Sequence, residues 1–136
     1  MKTKILILTT TLLALAACTP KQITIFKKHI SNKTLKLVAM DQNMTIPKNI
    51  TIKIAPDKTF KGFGGCNDYN GTYILNRDYI NFKISNIKEK VCDNIYQEGV
   101  YIKNLVKSKQ IVLKGKKIYF EDVNSKKLLL FKDTLN

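Results

Sequence analysis

The chain has 136 residues, with 24 lysines and arginines against 10 acidic residues and a formal net charge of +14. This length is enough for one compact domain and excludes two. The charge is typical of nucleic-acid binders, but Arg77 is the only arginine and the lysines form no single block, which argues against a nucleic-acid partner. The charge instead favours attraction to anionic lipid headgroups, worth about 1 kcal/mol per well-placed lysine, or simply a solvated basic surface.

Residues 1–17 have the parts of a secretion signal. Lys2 and Lys4 begin the segment, an apolar run of about a dozen residues follows, and residues 15–18 read Leu-Ala-Ala-Cys. The run is shorter than the roughly 20 residues that span a bilayer, so a permanent transmembrane helix is the weaker interpretation. We therefore predict cleavage after residue 17.

The Leu-Ala-Ala-Cys sequence resembles the bacterial lipobox, whose cysteine is acylated and becomes the first residue of the mature protein. The resemblance implies two or three acyl chains on Cys18, whereas one chain would hold a membrane only marginally. An ordinary secretion signal that ends near a cysteine is the alternative. Because Thr19 is not Asp, the enteric sorting pattern implies an anchor in the outer membrane, facing the periplasm, in a cell with two membranes.

The three cysteines, Cys18, Cys66 and Cys92, are an odd number for a secreted protein. Acylation of Cys18 accounts for one, and the other two would meet in an oxidising compartment where disulfides persist. We predict a Cys66–Cys92 disulfide, with two buried free thiols as the alternative. His29 is the only histidine, which argues against a zinc site, and nothing in the sequence indicates a cofactor.

Residues 18–33 are mostly polar and are interpreted as a lipidated tether that contributes a short strand or a turn of helix. Alternation of apolar and polar residues starts at Thr34, and one domain is predicted over residues 34–136. This period of two predicts antiparallel strands with one solvated face. A third strand is expected over 59–63, after two strands whose inward residues are Leu35, Leu37, Ala39, Ile50, Ile52 and Ile54.

Glycine, asparagine and aspartate interrupt this alternation in residues 62–73. Their abundance predicts tight turns, bulges or positive φ angles there. Strands are expected on the far side, at 73–75 and 79–84, with a hairpin turn at 76–78 between them.

The period then changes from two to that of a helix, predicted over 93–107 with Asp93 or Asn94 at its start. Its recurring positions are Ile95, Gly99, Ile102 and Val106, with Leu105 beside them. Strands at 110–113, 117–121 and 127–132 close the chain. The order of elements predicts an α+β domain, in which a curled antiparallel sheet packs on one α-helix.

The run from Thr59 to Tyr73 resembles the signature of the META domain, which is found in bacterial HslJ-type heat-shock lipoproteins. Its motif residues are Gly62, Gly65, Cys66, Asn67, Tyr69, Gly71 and Tyr73. Further matches in the family's order are Leu35–Leu37, Ile84–Ile87, Cys92, Glu98, Leu105, Ile118–Glu121 and Leu128–Phe131. Two departures are Leu35, where the family has an aromatic residue, and Glu89-Lys90, where it often has Thr-Arg.

The resemblance covers residues 34–132. It implies an antiparallel, partly open β-barrel closed by a helix, and an association with envelope stress for some members. A structural likeness drawn between this fold and the pilotin lipoproteins of type III secretion implies a groove for lipid or peptide.

No group of residues predicts catalysis, because a nucleophilic cysteine needs a positioned base and the two downstream cysteines are expected to pair. Asp68 is expected to bond the local backbone of its glycine-rich turn. The same role is expected of the aspartates at predicted turns or helix starts, Asp57, Asp78, Asp93 and Asp122. Four tyrosines could line a groove but fit a core better: Tyr69, Tyr73, Tyr96 and Tyr101.

Two non-enzymatic hypotheses follow. The first is an envelope factor, anchored in the membrane by acyl chains on Cys18, that docks on envelope proteins and supports membrane integrity under stress. The second is a module that holds a lipid or small apolar ligand in the mouth of the barrel. A packed interior would favour the first, and a cavity on the order of several hundred Å³ the second. The residues whose packing decides between them are Ile80, Phe82, Ile111 and Leu113.

Overall fold

The computed structural model describes residues 21–40, 46 and 49–134. The predicted signal peptide and Cys18 therefore lie outside the described residues. The strands in the described part are β1 (Thr34–Met40), β2 (Thr51–Ile54), β3 (Thr59–Phe63), β4 (Asp68–Leu75), β5 (Ile80–Ile87), β6 (Gln110–Lys114), β7 (Lys117–Glu121) and β8 (Lys127–Asp133). The helical segments are an N-terminal helix, made of α1 (Lys21–Ile25) and a π-helical turn (Phe26–Ile30), and α2 (Ile95–Lys107).

All strand pairs are antiparallel and form one curled sheet in the order β5-β4-β3-β2-β1-β8-β7-β6. The two edges of the sheet approach each other, because the N–H of Ile80 at the start of β5 donates to the carbonyl of Lys109 beside β6, at 2.8 Å. Helix α2 packs against β5 and β8, and α1 packs against β6. The α+β fold predicted from the sequence is confirmed. In the described part of the chain, no helix is long and apolar enough to cross a bilayer.

Alternation identified the inward residues of the first strands, with one exception. Ile50, Ile52 and Ile54 are fully buried, as predicted. The prediction for Ala39 was wrong: it is exposed, and Met40 is buried in its place. A bulge in the pairing of β1 with β8, between Leu37 and Ala39, shifts the side chains by one position and so moves the next inward residue to Met40.

The glycine-rich segment is more regular than predicted. Only residues 64–67 connect the strands, since Gly62 belongs to β3 and β4 begins at Asp68 rather than at Tyr73. The next hairpin closes where expected, with the N–H of Asn76 donating to the carbonyl of Tyr79 at 2.9 Å. Extended backbone therefore carries most of the signature, which places its side chains alternately inside and outside the sheet.

Helix α2 lies where the spacing predicted it but presents a different face to the core. Ile95 and Val106 are 42% and 39% exposed, and Gly99 is exposed. The buried positions are Glu98, Tyr101, Asn104 and Leu105. A pattern read from apolar residues alone missed this face because two of its four members are polar.

The N-terminal helix belongs to the folded domain, although residues 18–33 were interpreted as a tether. Gln22, Phe26 and Ile30, spaced four residues apart, form its buried face. The Gln22 side chain bonds both backbone groups of Ile111: Nε2 donates to the carbonyl at 3.2 Å, and Oε1 accepts the N–H at 2.9 Å. The helix thus covers part of the edge strand β6, which would otherwise offer unpaired groups to another chain.

Aromatic rings fill the interior of the sheet. Six of the described rings form a closed circuit in which neighbouring centroids lie 4.8 to 6.4 Å apart. In order around the circuit they are Phe60, Tyr69, Tyr101, Phe131, Phe120 and Phe82. Of the four residues whose packing was to separate the two functional hypotheses, Ile80, Phe82 and Ile111 are buried in this interior and Leu113 is half-buried.

Candidate functional site

The loop between β3 and β4 is tied to the segment before α2 by the expected disulfide. Cys66 and Cys92 are bonded, with their Cα atoms 5.9 Å apart and a sequence separation of 26 residues. The side chain of Asn94, at the start of α2, reinforces this link by donating from Nδ2 to the carbonyl of Gly65 at 2.8 Å. Asn94 thus occupies the helix N-cap position, but its side chain bonds the loop and not the helix.

A buried carboxylate on α2 holds the same loop. Oε2 of Glu98 accepts the backbone N–H groups of Cys66, at 3.1 Å, and Asn67, at 2.6 Å. Oε1 accepts Nδ2 of Asn67 at 2.8 Å. Three donors therefore converge on one side chain that is only 4% exposed. Because bonds to an ionised acceptor are about twice as strong as neutral ones, Glu98 is the main polar contact between α2 and the loop.

The orientation of the Asn67 amide is fixed by Lys90. The Lys90 carbonyl accepts Nδ2 of Asn67 at 3.0 Å, and the Lys90 N–H donates to Oδ1 at 2.8 Å. The amide therefore uses both its donor hydrogens and its oxygen, and it cannot rotate without losing bonds to the backbone and to Glu98. We call Glu98, Asn67, residues 64–66 and the Lys90 backbone the Glu98 cluster.

The signature glycines are required by the backbone geometry around this cluster. Gly65 has φ = 105°, a conformation that L side chains rarely adopt. Gly62 lies against β2 and Tyr69, and a Cβ there would overlap the Thr51 carbonyl and lie 2.5 Å from the Tyr69 hydroxyl. A Cβ on Gly71 would similarly overlap the Lys83 carbonyl, beside the bulge in the pairing of β4 with β5. These three glycines allow strands and loop to approach closely.

Three of the four predicted tyrosines have buried rings whose hydroxyls are hydrogen-bonded. Tyr69 donates to the Thr51 carbonyl at 2.8 Å, so Tyr101, whose oxygen lies 2.6 Å away, donates to Tyr69. Tyr73 donates to the Ala55 carbonyl at 2.6 Å.

Burial disfavours the charged form of these phenols. It raises the pKa of Tyr69, to which the neighbouring Tyr101 adds, and it raises the pKa of Tyr101. The pKa of Tyr73 is raised by burial and by the charge of Asp57. All three therefore remain neutral core residues at neutral pH, whereas Tyr96 is 70% exposed and lies outside the core.

The aspartates behave differently from one another. Oδ1 of Asp57 accepts both the hydroxyl and the N–H of Thr59, and these bonds lower the pKa of Asp57. Oδ1 of Asp122 accepts the N–H groups of Lys126 and Asn124, which lower its pKa. Both form the turn bonds that were predicted.

The prediction for Asp68 was wrong. Its side chain is exposed and pairs with Lys88 at 3.1 Å, because Asp68 begins strand β4 and is not part of a turn. The side chain of Asp78 contacts Arg77 at 3.9 Å, and both groups are well exposed.

The signature residues therefore have a structural role. Gly62, Gly65, Cys66, Asn67, Tyr69, Gly71 and Tyr73 lie in one continuous region, and their polar groups bond the protein itself. Throughout residues 21–40, 46 and 49–134, no group of three or more His, Cys, Asp or Glu could hold a metal ion.

Two important residues were not given a role from the sequence. Glu98 was noted only as a family match in the helix, since nothing in its local sequence reveals that its partners lie 31 and 32 residues away. Gln22 was assigned to the tether. Its spacing of four from Phe26, repeated at Ile30, is a helical signal that could have revealed the buried face.

Residues 28–134 match the sequence profile of the META domain family. No curated protein matches the chain at a significant level. Among solved structures, the chain is similar to the NMR structure of a protein from Burkholderia xenovorans, with a TM-score of 0.64 and 18% identity over 86% of this chain and 89% of the other. It is also similar to the crystal structure of a DUF4847 family protein from Bacteroides vulgatus ATCC 8482, with a TM-score of 0.61 and 14% identity over 78% of this chain and 95% of the other. At these identities the structures establish the fold alone. Because the family profile spans most of the sequence, the chain belongs to the META domain family.

Proposed function

We propose that this protein is a lipid-anchored, non-enzymatic protein of the bacterial cell envelope that supports envelope integrity under stress. The observation that carries the proposal is Leu-Ala-Ala-Cys at residues 15–18, which ends an apolar run and leads directly into the domain. Gln22, the first residue with a described buried side chain, follows Cys18 closely. The anchor and the folded domain would therefore lie side by side at the membrane.

The non-enzymatic part of the proposal is supported by how the signature is used. Its carboxylate partner Glu98 is buried and bonded to three donors, and its tyrosine hydroxyls bond backbone carbonyls or each other. These polar groups form their hydrogen bonds within the domain, and a substrate has no access to them. We therefore infer that the signature residues stabilise the fold and that residues on the surface of the domain carry its function.

A small apolar surface beside the disulfide supports a docking role. Val91, Ile95 and Tyr96 are 92%, 42% and 70% exposed, on either side of Cys92. The disulfide and the Glu98 cluster fix the backbone that carries them, so this surface needs little ordering when a partner binds. We infer that these three exposed side chains contact a partner protein, and we call them the apolar docking surface.

The anchor is tested on protein extracted from the membranes of its host. The proposal predicts that the N-terminal peptide begins at Cys18 and carries acyl chains, as measured by mass spectrometry. A Cys18→Ser variant should lose this mass and leave the membrane fraction. Recovery of wild-type protein in the soluble fraction, with an unmodified Cys18, would contradict the anchor.

The docking role is tested by growth under heat or envelope stress in a strain that lacks the protein. Wild-type protein should restore growth, and a Val91→Ser and Tyr96→Ser double variant should restore it poorly. The matched control is Ile74→Ser with Tyr79→Ser, because these residues are also exposed, at 59% and 40%, but lie on other strands and loops. Equal growth with the two double variants would argue against the apolar docking surface.

A second candidate function is binding of a lipid acyl chain or a small apolar ligand. One feature favours it: an open groove of about 880 Å³ over β1 and β8, lined mainly by Val38, Met40, Leu128, Leu129, Leu130 and Tyr119. Native mass spectrometry of residues 19–136, released gently from an oxidising periplasm, separates the candidates. Bare protein is expected for the envelope factor, whereas added mass matching a fatty acid or phospholipid would favour the ligand-binding module.

A further inference from the structure

A second concave site lies at the end of the N-terminal helix, away from the Glu98 cluster. It has a volume of about 250 Å³. Three parts of the chain meet there: the end of the N-terminal helix with the following Lys33, the hairpin formed by β6 and β7, and the end of β8. Its lining is His29, Lys33, Leu113, Gly115, Lys116, Ile118, Lys132 and Asp133, and we call it the basic pocket.

The charges of the basic pocket favour an anion. Three lysines face one carboxylate, and that carboxylate is already paired, because Nζ of Lys33 lies 2.9 Å from Oδ2 of Asp133. Lys116 and Lys132 are exposed, and neither has an ion-pair partner among the described residues. Two ammonium groups therefore remain available for a ligand.

The chemistry of the lining fits a phosphate group in particular. A lysine ammonium is a compact point charge that binds phosphate readily, and two of them on separate segments can contact different phosphate oxygens. Leu113 and Ile118 give the pocket an apolar wall beside these charges. A phospholipid combines the same two features, an anionic phosphate in its headgroup and apolar acyl chains.

The position of the pocket in the chain places it near a membrane, if Cys18 carries the anchor proposed above. Gln22 is fixed to the sheet by its bonds to Ile111. Three residues lie between it and Cys18, and the four steps of chain that this makes reach at most about 14 Å. His29, at the far end of the same helix, lies only about 10 Å further along at 1.5 Å per residue. The spacer is therefore too short for the domain to move far from the bilayer surface.

We infer that the basic pocket binds the phosphate of an anionic phospholipid headgroup and so orients the anchored domain on the membrane. The inference rests on the proposed anchor only for the location of the pocket. Its chemistry comes from Lys116 and Lys132 and can be tested without acyl chains.

The test uses residues 19–136 with the disulfide formed. These residues include every core member in the described part of the chain, since those members lie between Phe26 and Phe131. Binding is measured by co-sedimentation with vesicles of equimolar phosphatidylglycerol and phosphatidylcholine, and with vesicles of phosphatidylcholine alone, at about 0.15 M salt, where the Debye length is about 8 Å. We expect binding only to the vesicles that contain phosphatidylglycerol.

The variant Lys116→Gln with Lys132→Gln removes the two unpaired charges, and the affinity for these vesicles should fall about 25-fold, or about fivefold for each lysine. The matched control, Lys61→Gln with Lys83→Gln, removes the same charge from exposed positions on β3 and β5. Because these lysines lie on other strands, screening should limit their effect to about threefold. Circular dichroism and thermal midpoints establish that all variants are folded.

Three outcomes would overturn the inference. Equal loss of binding in both double variants would show that net charge alone attracts the protein to the vesicles. Unchanged binding of the Lys116 and Lys132 variant would show that the pocket does not contact the vesicle surface. The third is tested with inorganic phosphate at constant ionic strength: if it shifts the amide NMR signals of Gly115 and Lys116 while the protein fails to bind vesicles that contain phosphatidylglycerol, the site takes free phosphate and not a lipid headgroup. Because this protein is unacylated, failure here leaves the anchor untouched, and failure of the anchor leaves this measurement valid.

Discussion

The carboxylate of Glu98 lies 2.6 Å from the backbone nitrogen of Asn67, so a helix side chain holds the loop that joins β3 to β4. Within the described residues no lysine, arginine or histidine pairs with Glu98. Hydrogen bonds from the backbone and from the Asn67 amide therefore stabilise it in place of an ion pair. Removing the donors would leave a buried charge without hydrogen bonds, at a large cost in the free energy of folding. Removing the carboxylate would leave the buried donors unpaired, at a similar cost.

Replacement of Glu98 tests this interdependence. Glu98→Ala leaves three buried donors unpaired and should lower the free energy of unfolding by about 3–4 kcal/mol. Glu98→Gln should cost about 1–2 kcal/mol, because its NH2 group must face one of those donors and the Lys90 backbone prevents Asn67 from rotating to accept it.

Urea unfolding under non-reducing conditions measures both changes. The control is Glu89→Gln on the exposed segment before Cys92, which should change stability by less than about 0.5 kcal/mol. If Glu98→Gln were as stable as the wild type, the charge of Glu98 would have no role in holding the loop.

Two glycines should respond to alanine in opposite directions. In Gly62→Ala the added Cβ overlaps the Thr51 carbonyl, which β2 cannot move without breaking its pairing with β3, so we expect a loss of about 2–3 kcal/mol. Gly99 lies inside α2 with no atom near the position of a Cβ, and Gly99→Ala should raise stability by about 0.5–1 kcal/mol.

Thermal unfolding of the two variants in the same buffer decides the point. A stabilising Gly62→Ala would show that the signature glycine is not required by close packing. A destabilising Gly99→Ala would place an unseen contact on the exposed face of α2.

Local pattern was sufficient for most of the fold. Period-two alternation located the β2 isoleucines, and helical spacing placed α2 within two residues of its observed start. The pattern failed at Ala39, where a bulge changes the register, because a bulge depends on the pairing strand and leaves no mark in the sequence of β1. It also failed on the buried face of α2, where Glu98 lies inside because loop donors satisfy it.

The sequence predicted which residues form the candidate site but not the contacts that they make. Cysteine counting and the family resemblance brought Cys66, Cys92 and the signature residues together. Neither could show that the Asn67 amide is held between Glu98 and Lys90, since those contacts join segments more than 20 residues apart. Long-range polar contacts of this kind arise from the tertiary fold and have no local period to reveal them.

The packing of the N-terminal helix predicts that the domain needs residues before Thr34. Phe26 is buried with its ring 5.2 Å from that of Tyr73, so Phe26→Ala should lower the free energy of unfolding by about 3–4 kcal/mol. Lys27→Ala, an exposed neighbour on the same helix, should change it by less than about 0.5 kcal/mol.

The measurement is urea unfolding, and truncation provides a second comparison. A protein that begins at residue 34 should lose Ile30 as well and be less stable than Phe26→Ala. If the truncated protein matched the wild type, residues 21–30 would be the tether that the sequence alone suggested.

The disulfide should contribute substantially to stability because it closes a loop with a sequence separation of 26 residues. In the chain-entropy model such a loop is worth about 3–4 kcal/mol. The double variant Cys66→Ala and Cys92→Ala should therefore melt about 10–15 °C below the wild type in calorimetry. Adding a reductant should lower the melting temperature of the wild type toward that of the double variant and leave the melting temperature of the variant unchanged. A wild-type melting temperature that does not respond to reductant would indicate that these cysteines do not pair in solution.

The buried tyrosine pair predicts a loss of stability in alkali. Burial raises the pKa of both Tyr69 and Tyr101, so above about pH 10 the unfolded chain releases protons that the folded protein retains. The folded state then binds more protons than the unfolded state, and the free energy of unfolding must fall as the pH rises. The contribution of these groups is fully present below about pH 10 and decreases above it by about 1.4 kcal/mol per pH unit for each tyrosine.

Tyr101→Phe removes one of these protons while preserving the ring that packs between Tyr69 and Phe131. At neutral pH it should cost about 1 kcal/mol, because Tyr69 loses one hydrogen bond but still donates to the Thr51 carbonyl. Above about pH 10 its stability should fall less steeply than that of the wild type, by about 1.4 kcal/mol per pH unit. Urea unfolding between neutral and alkaline pH measures the two slopes, with Phe82→Leu as a control that should lower stability equally at every pH. Parallel curves for wild type and Tyr101→Phe would contradict the prediction, because they would mean that the Tyr101 hydroxyl titrates alike in the folded and unfolded protein.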